Sequence, residues 1–413
     1  MYAVALLFFV LVGILLRMVD ISLPDFSTDE AQYAFGSKAH PFVAIGMMQI
    51  FQALFGHTLL VVRSISVLAG IATLFVLFAT VRFLFPEKKE VAELTLAVAS
   101  LFTSHILLSR LAYLDATQCL MWACLLYAFL RARERQTVAS ITMLNVASVL
   151  AIFVKVQGML FPFFLLLGRI IEKRGRVHRD PVFLALCLSF VPFAFYILSQ
   201  PEVGAVFFLY TGKVIGFIDL SGRFISLLTL WKSILGIFLI LIPFSLPKVR
   251  SLPWPVTLLL LLAIGINFFL SPRLYYSTYL VFFAMPIGLL LASWKIHYRV
   301  VTLCAIFLST LLIAGPQVFP LRSYRFYLFQ HPGYWNTHAA AINKSIGESD
   351  EVIAIGHVGH QVRWYIDAKV LVGHEMDTAE MPGTFLVVAP PGALPLENTE
   401  ILYADERVQV YRR

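Results

Sequence analysis

The sequence predicts an α-helical polytopic membrane protein of about eleven transmembrane helices, with interfacial helices in the first outward loop and a small C-terminal α/β domain. Three observations carry this. Of 413 residues, 59% are hydrophobic and 14% charged, with a mean hydropathy of +0.82, whereas soluble domains carry roughly 25% charged residues. Apolar runs long enough for a ~30 Å hydrocarbon core recur from the first residues to about Pro316. Beyond Pro316 the composition changes to that of a soluble domain.

The first run, residues 3–19, has neither a basic n-region nor a small-residue cleavage site, so it reads as a retained span rather than a removed signal. A long loop follows, 20–58, in which Phe42 to Phe55 is apolar, too short to span and interrupted by Gly46, as suits a helix lying along the interface. Further spans are expected at 59–81, 91–108, 114–131, 137–154, 157–171 and 181–199. After a second long loop, 200–226, come spans at 227–246, 253–270, 275–293 and 300–316. The tail has a helix-compatible stretch, His338 to Ile346, and alternating runs at Glu351 to Ile355, Thr384 to Ala389 and Arg407 to Tyr411. These divide the chain into a transmembrane domain, 1–316, and an extracytoplasmic α/β domain, 317–413.

The formal charge of +8 does not point to nucleic acid, because the basic residues lie between apolar runs rather than on a folded surface. Fifteen of them, including Arg131/Arg133/Arg135 and the five between Arg169 and Arg179, fall in alternate loops, against six in the intervening loops. The richer loops read as cytoplasmic, which puts the N-terminus inside and the tail outside the membrane of a cell or compartment. The four cysteines, Cys119, Cys124, Cys187 and Cys304, all lie in apolar runs and offer neither a disulfide framework nor metal-ligand spacing. No internal repeat or matched pair of broken spans is evident, which weighs against an inverted-repeat transporter.

The chemistry-bearing residues share the outward side. Adjacent acids Asp29 and Glu30 follow the first span in Ser27-Thr28-Asp29-Glu30-Ala31-Gln32-Tyr33-Ala34; Ser27 three residues before Glu30 serves a capping box equally well. Asp115 opens the fourth span, where it suits a helix cap, and Arg110 just before it could snorkel to headgroups. Arg63 lies inside an apolar run, where a cation is costly without a partner carboxylate or phosphate, or a route to the interface. Lys155 and Arg273 also stand at outward ends of spans. Tyr275 and Tyr276 beside Arg273 either stack on a sugar or belong to the interfacial aromatic belt. In the tail, His357 and His360 lack a third ligand and receive no role, while Asn343-Lys344-Ser345 is a formal glycosylation acceptor.

The ordered series resembles the protein O-mannosyltransferase and lipid A aminoarabinose transferase families, which share the glycosyltransferase C superfold. Thr28 to Ala34 is similar to their first-loop acidic motif, D-E-A-x-Y-A, and His40-Pro41 to the step after it. Phe55-Gly56 and Arg63 to Gly70 resemble F-G then R-x-x-S-x-x-x-G; Arg110 to Asp115 resembles R-x-x-x-x-D; Lys155-Val156-Gln157-Gly158 resembles K-G-P-x-G or K-x-x-G; and Arg273-Leu274-Tyr275 with Pro286 resembles R-Y-x-x-P. One proline after His40 and Val156-Gln157 in place of Gly-Pro depart from the pattern.

The resemblance implies an inverting glycosyltransferase. A monosaccharide would pass from a polyprenyl phosphate, dolichyl or undecaprenyl, to an acceptor hydroxyl on a protein, glycan or lipid. Asp29 is then the base, with Glu30 beside it, and His40, Arg63, Arg110, Asp115, Lys155, Arg273 and Tyr275 bind substrate. No cofactor is required by this scheme, although a divalent cation near Asp29 is an option. The rival readings are a transporter or flippase of lipid-linked sugars, which needs a cationic cavity but no base, and a receptor that binds its partner through the tail.

Overall fold

The computed structural model describes residues 2–19, 21, 30, 33–34, 42–173, 177–200, 235–269, 274–318, 334–345, 351–355, 369–373, 385–389, 400–404 and 409–412. It divides into two compact units, Met1–Ile21 with Gly36–Arg322, and Ser22–Phe35 with Ser323–Arg413.

The first unit is helical. Its elements are α1 (Tyr2–Met18), α2 (Phe42–Phe55), α3 (Leu59–Leu84), α4 (Lys89–Ser100), α5 (Thr103–Ser109), α6 (Leu114–Glu134), α7 (Val138–Val154), a 3-10 turn (Val156–Met159) and α8 (Leu160–Lys173). Then come α9 (Pro181–Ser199), α10 (Phe238–Val249), α11 (Trp254–Phe269), a 3-10 helix (Leu274–Phe283), α12 (Ala284–Ala292) and α13 (Ile296–Val318). Leu59–Leu84, Pro181–Ser199 and Ile296–Ala314 are each long and apolar enough to cross a membrane, and α4 with α5 passes the same test as a bent pair. These apolar helices make the chain an integral membrane protein. Each of the eleven expected spans coincides at least in part with one of these helices.

The boundaries have local causes. Thr58 caps α3 by accepting from the Val61 N–H, and Thr137 and Ser140 form a reciprocal capping box at α7. Gly56 ends α2 with φ of 90°, a left-handed backbone that an L side chain resists, and its N–H donates to the Gln52 carbonyl. Expected as one span, 91–108 is instead broken after Ser100 by a 57° bend. The break frees carbonyls that need donors. The buried Arg17 of α1 donates to the carbonyls of Ser100 at 2.7 Å and Ala99 at 3.3 Å, and Thr310 of α13 donates to that of Leu101 at 2.7 Å. α1 closes on the break at Gly13, where a Cβ would strike the Ser100 carbonyl.

α6 is well enclosed, with Trp122, Leu125, Leu126 and Phe129 fully buried and α3 and α7 packed against it. The polar contacts of the unit gather at two ends. One gathers the α5–α6 turn, the end of α7 and the 3-10 helix Leu274–Phe283; the other gathers the ends of α6 and α8. That second end is laced by ion pairs: Arg133–Glu172 at 2.8 Å, Arg169–Glu172 at 2.7 Å and Arg169–Asp180 at 2.5 Å.

Asp180 is also the N-cap of α9, accepting from the Phe183 N–H ahead of Pro181. Burial pushes its carboxyl up, but the hydrogen bonds and charge of Arg169 outweigh this and hold it below the ordinary carboxylate range. A carboxyl whose folded pKa lies below its unfolded one stabilises the fold above the unfolded value and loses that contribution as pH falls through the folded value. Acidification below about pH 4 is therefore expected to lower the thermal midpoint of the detergent-solubilised protein. Asp180→Asn should lower the midpoint at neutral pH and flatten this limb of the profile, as differential scanning fluorimetry across pH would register.

In the second unit the tail contributes α14 (Tyr334–Ser345) and strands β1 (Glu351–Ile355), β2 (Lys369–Gly373), β3 (Phe385–Ala389), β4 (Glu400–Ala404) and β5 (Gln409–Arg412). The sheet order is β2-β1-β3-β5-β4, with β1 parallel to β2 and β3, and β5 antiparallel to β3 and β4. Val352 of β1 lies between Val370 and Leu386, and the β4–β5 ladder shifts register between Ile401 and Tyr403. The alternating run expected at Glu351 to Ile355 coincides with β1, and those at Thr384 to Ala389 and Arg407 to Tyr411 overlap β3 and β5. Ser22–Phe35, which contains the acidic motif, falls in this unit.

Candidate active site

A buried polar cluster occupies the first end of the helical unit. Asp115 stands in the first turn of α6, and Lys155 caps the C-terminus of α7 with an extended backbone. That switch from helix to extended chain turns Lys155 toward α6. Its ammonium lies 3.0 and 2.9 Å from the two oxygens of Asp115, with both side chains at most 3% exposed. The Tyr279 hydroxyl, from the 3-10 helix Leu274–Phe283, donates to Asp115 Oδ1 at 2.9 Å. A carboxylate so placed is held by three elements distant in sequence. In an apolar bundle a charge pair of this kind is retained only where its geometry and hydrogen bonds offset desolvation.

The cluster continues about two turns deeper along α6. The Trp122 indole N–H donates to the Gly158 carbonyl at 3.1 Å, and its ring lies 4.8 Å from that of Tyr279. Gly158 is packed so closely that a Cβ would strike the Ala151 carbonyl and lie 2.5 Å from Gln118 Oε1. Overpacking of this kind costs about 1–3 kcal/mol. Gly158→Ala is expected to lower the thermal midpoint accordingly, and a nephelometric or fluorimetric melt would detect it. Both amide atoms of Gln118 and of Gln157 are buried and have no hydrogen-bond partner among the described residues.

Two arginines border the same end. Arg63, fully buried in the first turns of α3, donates to the Ile21 carbonyl at 2.7 Å; Arg110, 5% exposed, donates to the Leu16 carbonyl at 2.7 Å. Ser66, one turn after Arg63, donates to the Tyr113 carbonyl at 3.2 Å. The end of α1, the start of α3 and the α5–α6 turn are thus pinned together by side chains that bear charge or polarity. α2 packs at this end too: Val43 lies on Ile152, Phe153 and Phe193, and the Phe42 ring is 5.3 Å from that of Phe153. A site of this composition can bind an anion attached to an apolar chain, because cations and donors cluster where helices end in an otherwise apolar bundle.

Residues 39–198 match the family model described as dolichyl-phosphate-mannose-protein mannosyltransferase. That stretch contains α2 to α9 and with them Arg63, Arg110, Asp115 and Lys155. No curated protein matches the sequence. The whole structure is similar to the crystal structure of ArnT from Cupriavidus metallidurans in the apo state, with a TM-score of 0.70 at 15% identity, covering 98% of this chain and 97% of that one. Similarity to ArnT of the same organism bound to undecaprenyl phosphate has a TM-score of 0.68 at 14% identity, with the same coverage. The chain has the glycosyltransferase C fold.

Asp115 and Lys155, expected as separate site residues, form one ion pair. Arg63 and Arg110 stand at the same end of the helical unit. Glu30 is buried, and Asp29, His40 and Arg273 lie outside the described residues, as do the side chain of Tyr275 and the expected position of a divalent cation beside Asp29. Among the described residues no three His, Cys, Asp or Glu side chains gather as metal ligands. Tyr279, Trp122, Gln118 and Arg17 were not anticipated. Arg17 could have been found by the signal that marked Arg63, a cation inside an apolar run; its partner His105 Nδ1, 2.9 Å away, lies 88 residues off.

Proposed function

We propose that the protein is an inverting glycosyltransferase that moves a monosaccharide from a polyprenyl phosphate, dolichyl or undecaprenyl, to an acceptor hydroxyl on the extracytoplasmic side. The observation that carries the reading is the buried Asp115–Lys155–Tyr279 cluster, bordered by Arg63 and Arg110, at one end of a glycosyltransferase C fold. The undecaprenyl phosphate bound by ArnT supports a polyprenyl phosphate as the donor's lipid part.

In this scheme Asp29 accepts the proton of the acceptor hydroxyl while the hydroxyl oxygen attacks the anomeric carbon. The bond from that carbon to the phosphate oxygen breaks, its electron pair stays on the polyprenyl phosphate, and the configuration inverts. The leaving group is already anionic, so it needs no general acid. It needs stabilisation of developing charge, which Arg63, Arg110, Lys155 and Arg273 supply. Asp115 holds the Lys155 ammonium in one position, and Tyr279 holds Asp115, so the donor meets a cation that need not reorganise. Glu30 orients Asp29, and His40 and Tyr275 contact the donor or acceptor. The Gln118 and Gln157 amides offer donors and acceptors to sugar hydroxyls.

Reconstitution in liposomes distinguishes this from movement of lipid-linked sugar. With a fluorescent or radiolabelled polyprenyl-phosphate monosaccharide and a panel of protein, glycan and lipid acceptors, we expect cleavage of the donor and label on an acceptor. Transfer of the intact donor between leaflets without cleavage would instead identify a flippase.

A further inference from the structure

α8 and α11 leave a groove of about 750 Å³ between them, at the end of the helical unit opposite the Asp115 cluster. Its walls are apolar, with Leu167, Ile171, Leu258 and Leu261 among them. Ile171 is 76% and Leu261 61% exposed, so the groove opens outward. Along α8 it runs from Phe164 to Glu172, which at helical rise is about 12 Å, close to half of a ~30 Å hydrocarbon core. That length suits the chains of one leaflet's lipid.

The charge at its mouth is one-sided. Two charged residues line it, Glu172 and Arg250. The Glu172 carboxylate is taken by Arg133 at 2.8 Å and Arg169 at 2.7 Å. Arg250, at the end of α10, forms no ion pair with any described residue. The groove therefore presents a cation with no counter-charge among the described residues above an apolar slot. Its back is the Trp254 ring, seated directly on α8 because Gly168 has no side chain; a Cβ there would enter the ring.

We propose that this groove binds an anionic phospholipid, independently of the reaction assigned to the other end. The acyl chains lie along Leu167, Ile171, Leu258 and Leu261, against the Trp254 ring, and the phosphodiester pairs with Arg250. A zwitterionic lipid offers the same chains but carries its own cation beside the phosphate, so the Arg250 charge discriminates between the two.

The test is native mass spectrometry of the full-length protein in detergent with equal amounts of phosphatidylglycerol and phosphatidylethanolamine. We expect the wild type to retain phosphatidylglycerol preferentially by about fivefold, the worth of one basic residue near an anionic surface. Arg250→Gln, an exposed position whose replacement leaves the core intact, should bring the ratio near unity, and Leu258→Trp, which fills the slot, should reduce retention of both lipids. Equal retention by the wild type overturns the proposal. So does a preference that survives Arg250→Gln, which would place the anion on another basic residue, or retention unchanged by Leu258→Trp.

Discussion

Lys155→Ala is expected to abolish sugar transfer and to cost about 3–5 kcal/mol of stability, the usual penalty for leaving a buried charge without its partner. Among the described residues the Asp115 carboxylate would keep only the Tyr279 hydroxyl at 2.9 Å, in a site that is nearly closed to solvent. The informative variant is the double one. Asp115→Leu with Lys155→Met replaces the pair by apolar groups, which at buried ion pairs is often neutral or stabilising. The thermal midpoint should therefore return close to that of the wild type while transfer stays lost. A double variant that melted as early as Lys155→Ala would mean that the pair does not carry the local stability assigned to it; one that still transferred sugar would remove Lys155 from the reaction.

Asp29→Asn is expected to lower transfer by about 10²- to 10⁴-fold, the range that a positioned general base contributes, with binding of the donor little changed. The amide keeps the size of the carboxylate and removes its basicity, so the loss should fall on kcat rather than KM. Donor affinity measured by quenching of a fluorescent polyprenyl-phosphate sugar would separate the two. A weakened affinity with kcat intact would make Asp29 a binding residue only.

Much of the helical unit was legible because lipid imposes a simple rule. Apolar length marks the spans, and each expected run overlaps at least in part with a helix among the described residues. What escaped is what depends on partners far away in sequence. The 91–108 run is apolar throughout, and nothing local announces the bend after Ser100; the donors that satisfy the freed carbonyls come from Arg17 and Thr310, 83 and 209 residues away from their acceptors. The helix Phe42–Phe55 was legible in extent because it is too short to span, and Gly46 within it does not interrupt the helix. In the tail, β1, β3 and β5 show apolar runs or alternation, whereas β2 is three apolar residues between Lys369 and Gly373, too short a run to stand out from a loop.

The candidate site was legible as a set of residues on one side but not as pairs. Arg63 stood out because a cation inside an apolar run demands a reason. Asp115 and Lys155 each looked like an ordinary helix-end residue, and only the packing of α6 against α7 makes them a unit. Tyr279 was hidden among the aromatic residues of its stretch, where Tyr is common for interfacial reasons. Gln157 was visible only as a departure from a motif; in the structure its amide is buried, with no hydrogen-bond partner among the described residues.

The central claim, transfer from a polyprenyl-phosphate sugar with Asp29 as the base, is tested most directly by measuring release of free polyprenyl phosphate from a panel of such donors by purified wild type and Asp29→Asn protein side by side. The account predicts release by the wild type with at least one donor, tied to label on an acceptor, and almost none by Asp29→Asn. Equal release by both proteins, or none by a folded wild type with any donor, would contradict it.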